Sequence, residues 1–199
     1  MEDGVKNAPA TIYLESNPNP NTLKFVVNYF LIPEGMNFDY PTVESATNST
    51  LAQELFTFPF VKGVFVMSNF VTVTKDAETD WAEVQNGIRD HIKGYLDSGQ
   101  PAVDLSKAYE QAHEEQKTTA PVSDMDENIK GILDEYIRPA VEQDGGAISF
   151  HSFEDGVVKV VLQGSCSGCP SSTLTLKAGI ENLLKRMVPE VKEVEAING

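Results

Sequence analysis

Residues 157–187 read VVKVVLQGSCSGCPSSTLTLKAGIENLLKRM, and how this stretch folds decides the second half of the chain. VVKVVLQG is rich in β-branched residues and follows the turn Glu154-Asp155-Gly156, so it reads as a strand. Past the cysteines, Leu176, Ile180, Leu183, Leu184 and Met187 recur on one helical face. Pro170 suits the first turn of that helix, and VKEVEAI closes the chain as another strand. Upstream, SDMDENIKGILDEYIRPAVEQDGG opens with Asp124 and Glu127 at capping-box spacing. Ile129, Ile132, Leu133, Tyr136, Ile137 and Ala140 then continue an apolar helical face. Pro139 is expected to kink or end that helix, and Gly145 and Gly146 turn the chain into the strand AISFHSF. The order is αββαβ.

The first half alternates similarly. TIYLES and LKFVVNYFLI read as strands joined by NPNPNT, whose prolines and asparagines are turn chemistry. STLAQELF reads as a short helix, with Thr50 and Gln53 at capping-box spacing, ahead of the strands VKGVFVMSN and FVTVTKD. Asp80 and Glu83 cap a longer helix in which Trp81, Val84, Ile88, Ile92 and Tyr95 share a face, with Gly99 as its stop. This order is ββαββα. Between the halves, SGQPAVDLSKAYEQAHEEQKTTAPVSD is polar and punctuated by proline. The fold class is therefore α+β, as two small domains over 1–99 and 124–199 joined by a polar, partly helical linker over 100–123.

Composition narrows the function. A chain of 199 residues, 41% of them hydrophobic, has enough apolar side chain for two packed cores. A net charge of −15 and the lack of a Lys/Arg stripe exclude nucleic acid as an expected partner. No apolar run approaches a membrane span, and membrane is likewise not expected. The start, MEDGVKNAPA, has neither the basic and apolar regions of a secretion signal nor the Arg-rich, acid-poor character of a transit peptide, which points to a cytoplasmic location.

The chain has 2 cysteines, Cys166 and Cys169, and they form one C-x-x-C in a loop with Gly164 and Gly168. A helix start directly after them offers unpaired N–H groups and the positive end of a dipole, which favour thiolate. Three readings compete. The two residues are small core side chains, or a thioredoxin-like dithiol, or metal ligands. Iron-sulfur clusters and structural zinc usually take four ligands. Two chains, each giving one C-x-x-C, would supply them, and that arithmetic predicts a site shared across a symmetric dimer.

GSCSGCPSSTLTLKAGIENLLK, with IRPAVEQDGGAISF upstream, resembles the C-terminal domain of the NifU family, the Nfu-type iron-sulfur cluster scaffolds and carriers. NPNPNTLKF, LFTFPFVKGVFV and NFVTVTKD are similar to the Nfu N-terminal domain. Ala147 departs from the pattern, many relatives having a further acidic residue after the two glycines. The resemblance implies a labile [4Fe-4S] cluster held between two subunits, with Cys166 and Cys169 as ligands. It further implies a homodimer when loaded, apo iron-sulfur client proteins as recipients, upstream cluster assembly proteins as donors, and an N-terminal domain that helps recognise clients. The function would be delivery, not enzymatic turnover, and no catalytic residue is assigned. Gly164, Ser165, Ser167, Gly168 and Pro170 are supporting loop residues; the small size of the first four lets cluster and partner approach, and their N–H groups suit cluster sulfurs. The alternatives are a dithiol/disulfide redox protein and a zinc-bridged dimeric interaction module.

The remaining candidates are weaker. His91, His113 and His151 have no ligand spacing around them, and no nucleophile elbow or phosphate-binding loop is present. Asp144 is a minor candidate for shaping the cysteine loop. Phe56, Phe58, Phe60, Phe65 and Phe70 are expected in the core of the first domain.

Overall fold

A computed structural model describes residues 9–109, 123–167 and 170–198. The described chain falls into two compact units, one of residues 9–16 and 21–109, the other of residues 123–198 together with 17–20.

The first unit is a five-stranded antiparallel sheet, with strands β1 (Ile12–Ser16), β2 (Thr22–Val27), β3 (Asn37–Tyr40), β4 (Val61–Met67) and β5 (Phe70–Lys75) in the order β1-β2-β5-β4-β3. Strand β3 was not expected from sequence, so the order is βββαββα. It is a four-residue edge strand paired only with β4, and NFDY has no local signal beyond that pairing. Strand β2 ends at Val27 instead of running on to Ile32. Helices α1 (Thr50–Leu55) and α2 (Trp81–Asp97) cover one sheet face, where Leu51, Leu55, Ile88 and Ile92 meet Phe25, Val64, Val66 and Val71. Ser49, not Thr50, caps α1: its hydroxyl oxygen accepts from the Ala52 N–H at 3.0 Å and donates to the Ala102 carbonyl at 2.7 Å. Asp80 caps α2 as expected, accepting from the Ala82 N–H. The core of this unit also takes in Ala102 and Val103, beyond the Gly99 boundary that composition suggests. Short apolar residues in a polar stretch gave no sign of that burial. Phe65 and Phe70 are buried, and Phe56, Phe58 and Phe60 pack half-buried against the core.

The second unit has the expected αββαβ order. Helix α3 (Asp124–Ile132) starts with a capping box between Ser123 and Asp126, one residue before the anticipated pair. It runs through a π turn at Leu133–Ile137 into α4 (Arg138–Gln143). Pro139 explains the π turn: it has no N–H for the Glu135 carbonyl and its ring crowds that oxygen, so the helix widens there instead of ending. The extra residue rotates the apolar face. Val141 is buried where the unbroken helical period would have buried Ala140, and Tyr136 is left exposed. Strands β6 (Gly146–Glu154) and β7 (Val157–Gly164) form an antiparallel hairpin, and β7 pairs in parallel with β8 (Glu193–Asn198). Helix α5 (Pro170–Met187) makes the crossover that a parallel pair requires. Ile148, Val158, Val160, Leu162 and Val194 of the sheet pack against Ile129, Ile132, Leu133, Val141, Ile180 and Leu184 of the helices. No helix among the described residues is long and apolar enough to cross a membrane.

Candidate functional site

The β6–β7 hairpin brings together two motifs far apart in sequence. Asp155 and Gly156 both have positive φ, at 54° and 90°, the backbone of a two-residue type I′ turn. From that turn the register runs back until Gly146 lies opposite Gly164. The turn Asp144-Gly145-Gly146 that enters β6 therefore stands beside the cysteine loop that leaves β7.

Hydrogen bonds tie the two together. The Ser165 hydroxyl donates to the Asp144 carbonyl at 2.6 Å, and the Ser165 N–H donates to the Gly145 carbonyl at 3.3 Å. Gly145 and Gly164 take positive φ, at 81° and 63°, where a Cβ is costly. The loop also closes on itself, since the Ser167 N–H and hydroxyl both donate to the Gly164 carbonyl, at 3.1 and 3.0 Å. Gly146 is needed for a different reason. A Cβ on it would lie 2.9 Å from the Cys166 sulfur and 2.6 Å from the Gln163 carbonyl oxygen.

Cys166 points inward, 8% exposed, as part of the unit's hydrophobic core. Burial pushes its thiol up from the ordinary cysteine value; the Ser165 hydroxyl bonded toward the sulfur works against this and the nearby Asp144 carboxylate adds to it. Burial thus works against the favoured thiolate that a helix start would offer at Cys166. A cavity next to the thiol is lined by Val141, Asp144, Ser165, Leu176 and Ile180.

Of the residues singled out in the sequence, Gly164, Ser165, Cys166 and Ser167 come together here and Pro170 opens α5. Gly168 and Cys169 lie outside the described residues, as does His113. Asp144 joins the site through its carbonyl and its charge. Gly146 was read only as a turn residue; its part in making room for Cys166 needed the hairpin register. His91 sits elsewhere, 3.0 Å from Glu54 and edge-on to Phe58, and His151 is an exposed strand residue. Among the described residues, no group of three or more His, Cys, Asp and Glu could hold a metal ion.

Residues 129–195 match the family model of the NifU-like domain, and residues 12–99 match that of the scaffold protein Nfu/NifU N terminal. A curated relative, the mitochondrial NFU1 iron-sulfur cluster scaffold homolog of Drosophila willistoni, is 39% identical over 189 residues, covering 94% of this chain and 63% of its own. The chain thus spans somewhat under two thirds of that relative's length. The Homo sapiens protein of the same name is 40% identical over 187 residues, covering 94% of this chain and 71% of its own. A solved NifU-like protein from Saccharomyces cerevisiae overlays with a TM-score of 0.44 at 23% identity, covering 52% of this chain and 90% of that one. The relatives' names overturn the expected cytoplasmic location. The physical reason is that a targeting segment is separate from the domains it delivers and removable, so the folded domains carry no compositional record of it.

Proposed function

Because the chain belongs to the family of Nfu-type proteins, with both an Nfu N-terminal and a NifU-like domain, we propose that it is an iron-sulfur cluster scaffold. In this reading it binds a labile [4Fe-4S] cluster through Cys166 and Cys169 of each of two subunits and passes it to apo-proteins. The observation that carries this is the cysteine count: the chain's 2 cysteines fall in one C-x-x-C inside the matched NifU-like span. Thiolates are the ligands such clusters take, usually four of them, so a cluster bound here bridges two chains. The loaded form is a homodimer, the donors are upstream assembly proteins, and the place of action is the mitochondrion, as in the relatives' names. No turnover is required: the cluster is cargo, and it leaves by exchange of these thiolates for those of a recipient. The first unit, whose core takes in Ala102 and Val103, serves recipient recognition, and the second carries the cluster.

The test is anaerobic reconstitution with iron, sulfide and reductant, followed by size-exclusion chromatography, iron and sulfide analysis, and spectroscopic assignment of the cluster. A dimer with about two irons and two sulfides per chain and a [4Fe-4S] spectrum is expected. Cys166→Ser and Cys169→Ser should each abolish stable loading. Undiminished loading in either variant refutes the ligand assignment, and cluster-free protein that cycles through an intrachain disulfide refutes the scaffold reading.

A further inference from the structure

We infer that the turn Asp144-Gly145-Gly146 is a latch that holds Cys166 in a closed, inward position, with Ser165 as its catch, and that cluster loading proceeds by local opening of the 164–167 loop. The inference rests on the ligand role proposed for Cys166.

A sulfur that reaches a cluster shared with a second chain has to leave the hydrophobic core. In the structure it lies there, 8% exposed, in the space that the missing Gly146 side chain leaves free. What keeps it there is specific. Ser165, the residue directly before Cys166, donates to the turn twice, hydroxyl to Asp144 carbonyl and N–H to Gly145 carbonyl, while its own carbonyl accepts from the Asn19 side-chain amide at 3.0 Å. Ser165 is itself buried, so the hydroxyl has no water to replace that partner when it is held in place. The other end of the loop is self-contained, with Ser167 bonded to the Gly164 carbonyl through both its N–H and its hydroxyl. Gly164 stands at the hinge with positive φ. Releasing Ser165 from the turn and its carbonyl from the Asn19 amide therefore lets the loop swing about Gly164 without breaking its internal bonds, and the cavity beside the thiol gives the sulfur room to rotate. Ser165 is a positioning residue that acts through Cys166.

The latch is tested without any cluster. In the full-length Cys169→Ser chain, Cys166 is the one remaining thiol, and its alkylation by iodoacetamide is followed by intact mass at a fixed pH across low urea concentrations. Opening of the loop alone makes the rate independent of urea below the unfolding transition. A rate that rises with urea in step with global unfolding overturns the latch, whatever the behaviour of any variant. Adding Ser165→Ala should speed alkylation about tenfold, the effect of one lost neutral hydrogen bond at the strong end of its range. A purely electrostatic role for the hydroxyl predicts the opposite sign, because losing a group that favours the thiolate slows the reaction. In the two-cysteine chain, Ser165→Ala should likewise load cluster faster to an unchanged iron content. An unchanged or slower alkylation rate in a folded Ser165→Ala chain refutes the proposal. Failure of the latch leaves the ligand reading standing, and loading by Cys166→Ser sinks the ligand reading while the alkylation result stands.

Discussion

Gly146→Ala is the most direct probe of how the second unit is built. An ideal Cβ at this position would stand 2.6 Å from the Gln163 carbonyl oxygen, 2.9 Å from the Cys166 sulfur and 3.2 Å from the Cys166 nitrogen. Two of the three are backbone atoms, and neither can retreat cheaply. Gln163 is held in β7 opposite Ala147, and the nitrogen of Cys166 follows a residue fastened to the Asp144 turn. Overpacking a tight interior costs about 1–3 kcal/mol, and two backbone conflicts place this substitution at the upper end, about 3 kcal/mol. For a unit of this size each kcal/mol moves Tm by roughly 4–8 °C, so the expected fall is roughly 12–24 °C. Calorimetry of the full chain without cluster reads it as a downward shift of the second unit's transition, with the first unit's transition unmoved. A Gly146→Ala chain that melts within about 2 °C of its parent would show that the strand ends are soft and that the close approach to Cys166 is not a constraint.

Three smaller outcomes follow from the same geometry. Gly179 lies inside α5 with nothing within 4 Å of an added Cβ, so Gly179→Ala should stabilise the unit by about 1 kcal/mol; a lowered Tm would contradict this. Ser123→Ala removes the hydroxyl that caps α3 through the Asp126 N–H at 3.2 Å and should cost about 1 kcal/mol in urea unfolding, an unchanged midpoint refuting the capping role. The Glu181 carboxyl is held below its ordinary 4.5 by the Lys185 ammonium and by the Val194 N–H. A folded pKa below the unfolded one means stability that is complete above the unfolded value and is lost as pH falls through the folded one. Glu181→Gln should therefore flatten the acid limb of stability against pH, and an acid limb identical to the parent's would show that the bridge from α5 to β8 contributes nothing.

The helices were legible because their signals are local. Apolar residues at helical spacing identified α2 and α5, and capping-box pairs led by Thr50, Asp80 and Asp124 placed each helix start to within a residue of its true cap, Ser49, Asp80 or Ser123. Strand β3 was not legible, since four residues with little pattern become a strand only through pairing with β4. The phase of α3 and α4 was misread for a definite reason. Counting at 3.6 residues per turn from Ile129 puts Tyr136 and Ala140 on the apolar face, but the π turn forced by Pro139 adds a residue and hands burial to Val141. At the site, the C-x-x-C and its glycines were evident, whereas the inward packing of Cys166 was not. A helix start predicts a favoured thiolate, and only the packing reveals that burial works against it at that sulfur.

The spacing between the two site motifs also has a mechanical meaning. Counted outward from the Asp155-Gly156 turn, β6 takes nine residues to reach Gly146 and β7 takes eight to reach Gly164. The two glycines face each other only because the register shifts between Phe150 and Ser152, with His151 as the extra residue of a bulge. Without that bulge, with His151 paired opposite Val160, the ladder would slide by one and turn every later β6 side chain to the opposite sheet face. Ile148 would leave the core, and a side chain would stand where Gly146 now makes room for Cys166. The exposed His151 thus has no ligand role to explain it, yet its place in the count aligns the glycine turn with the cysteine loop. The two motifs work as one device whose gauge is the hairpin between them.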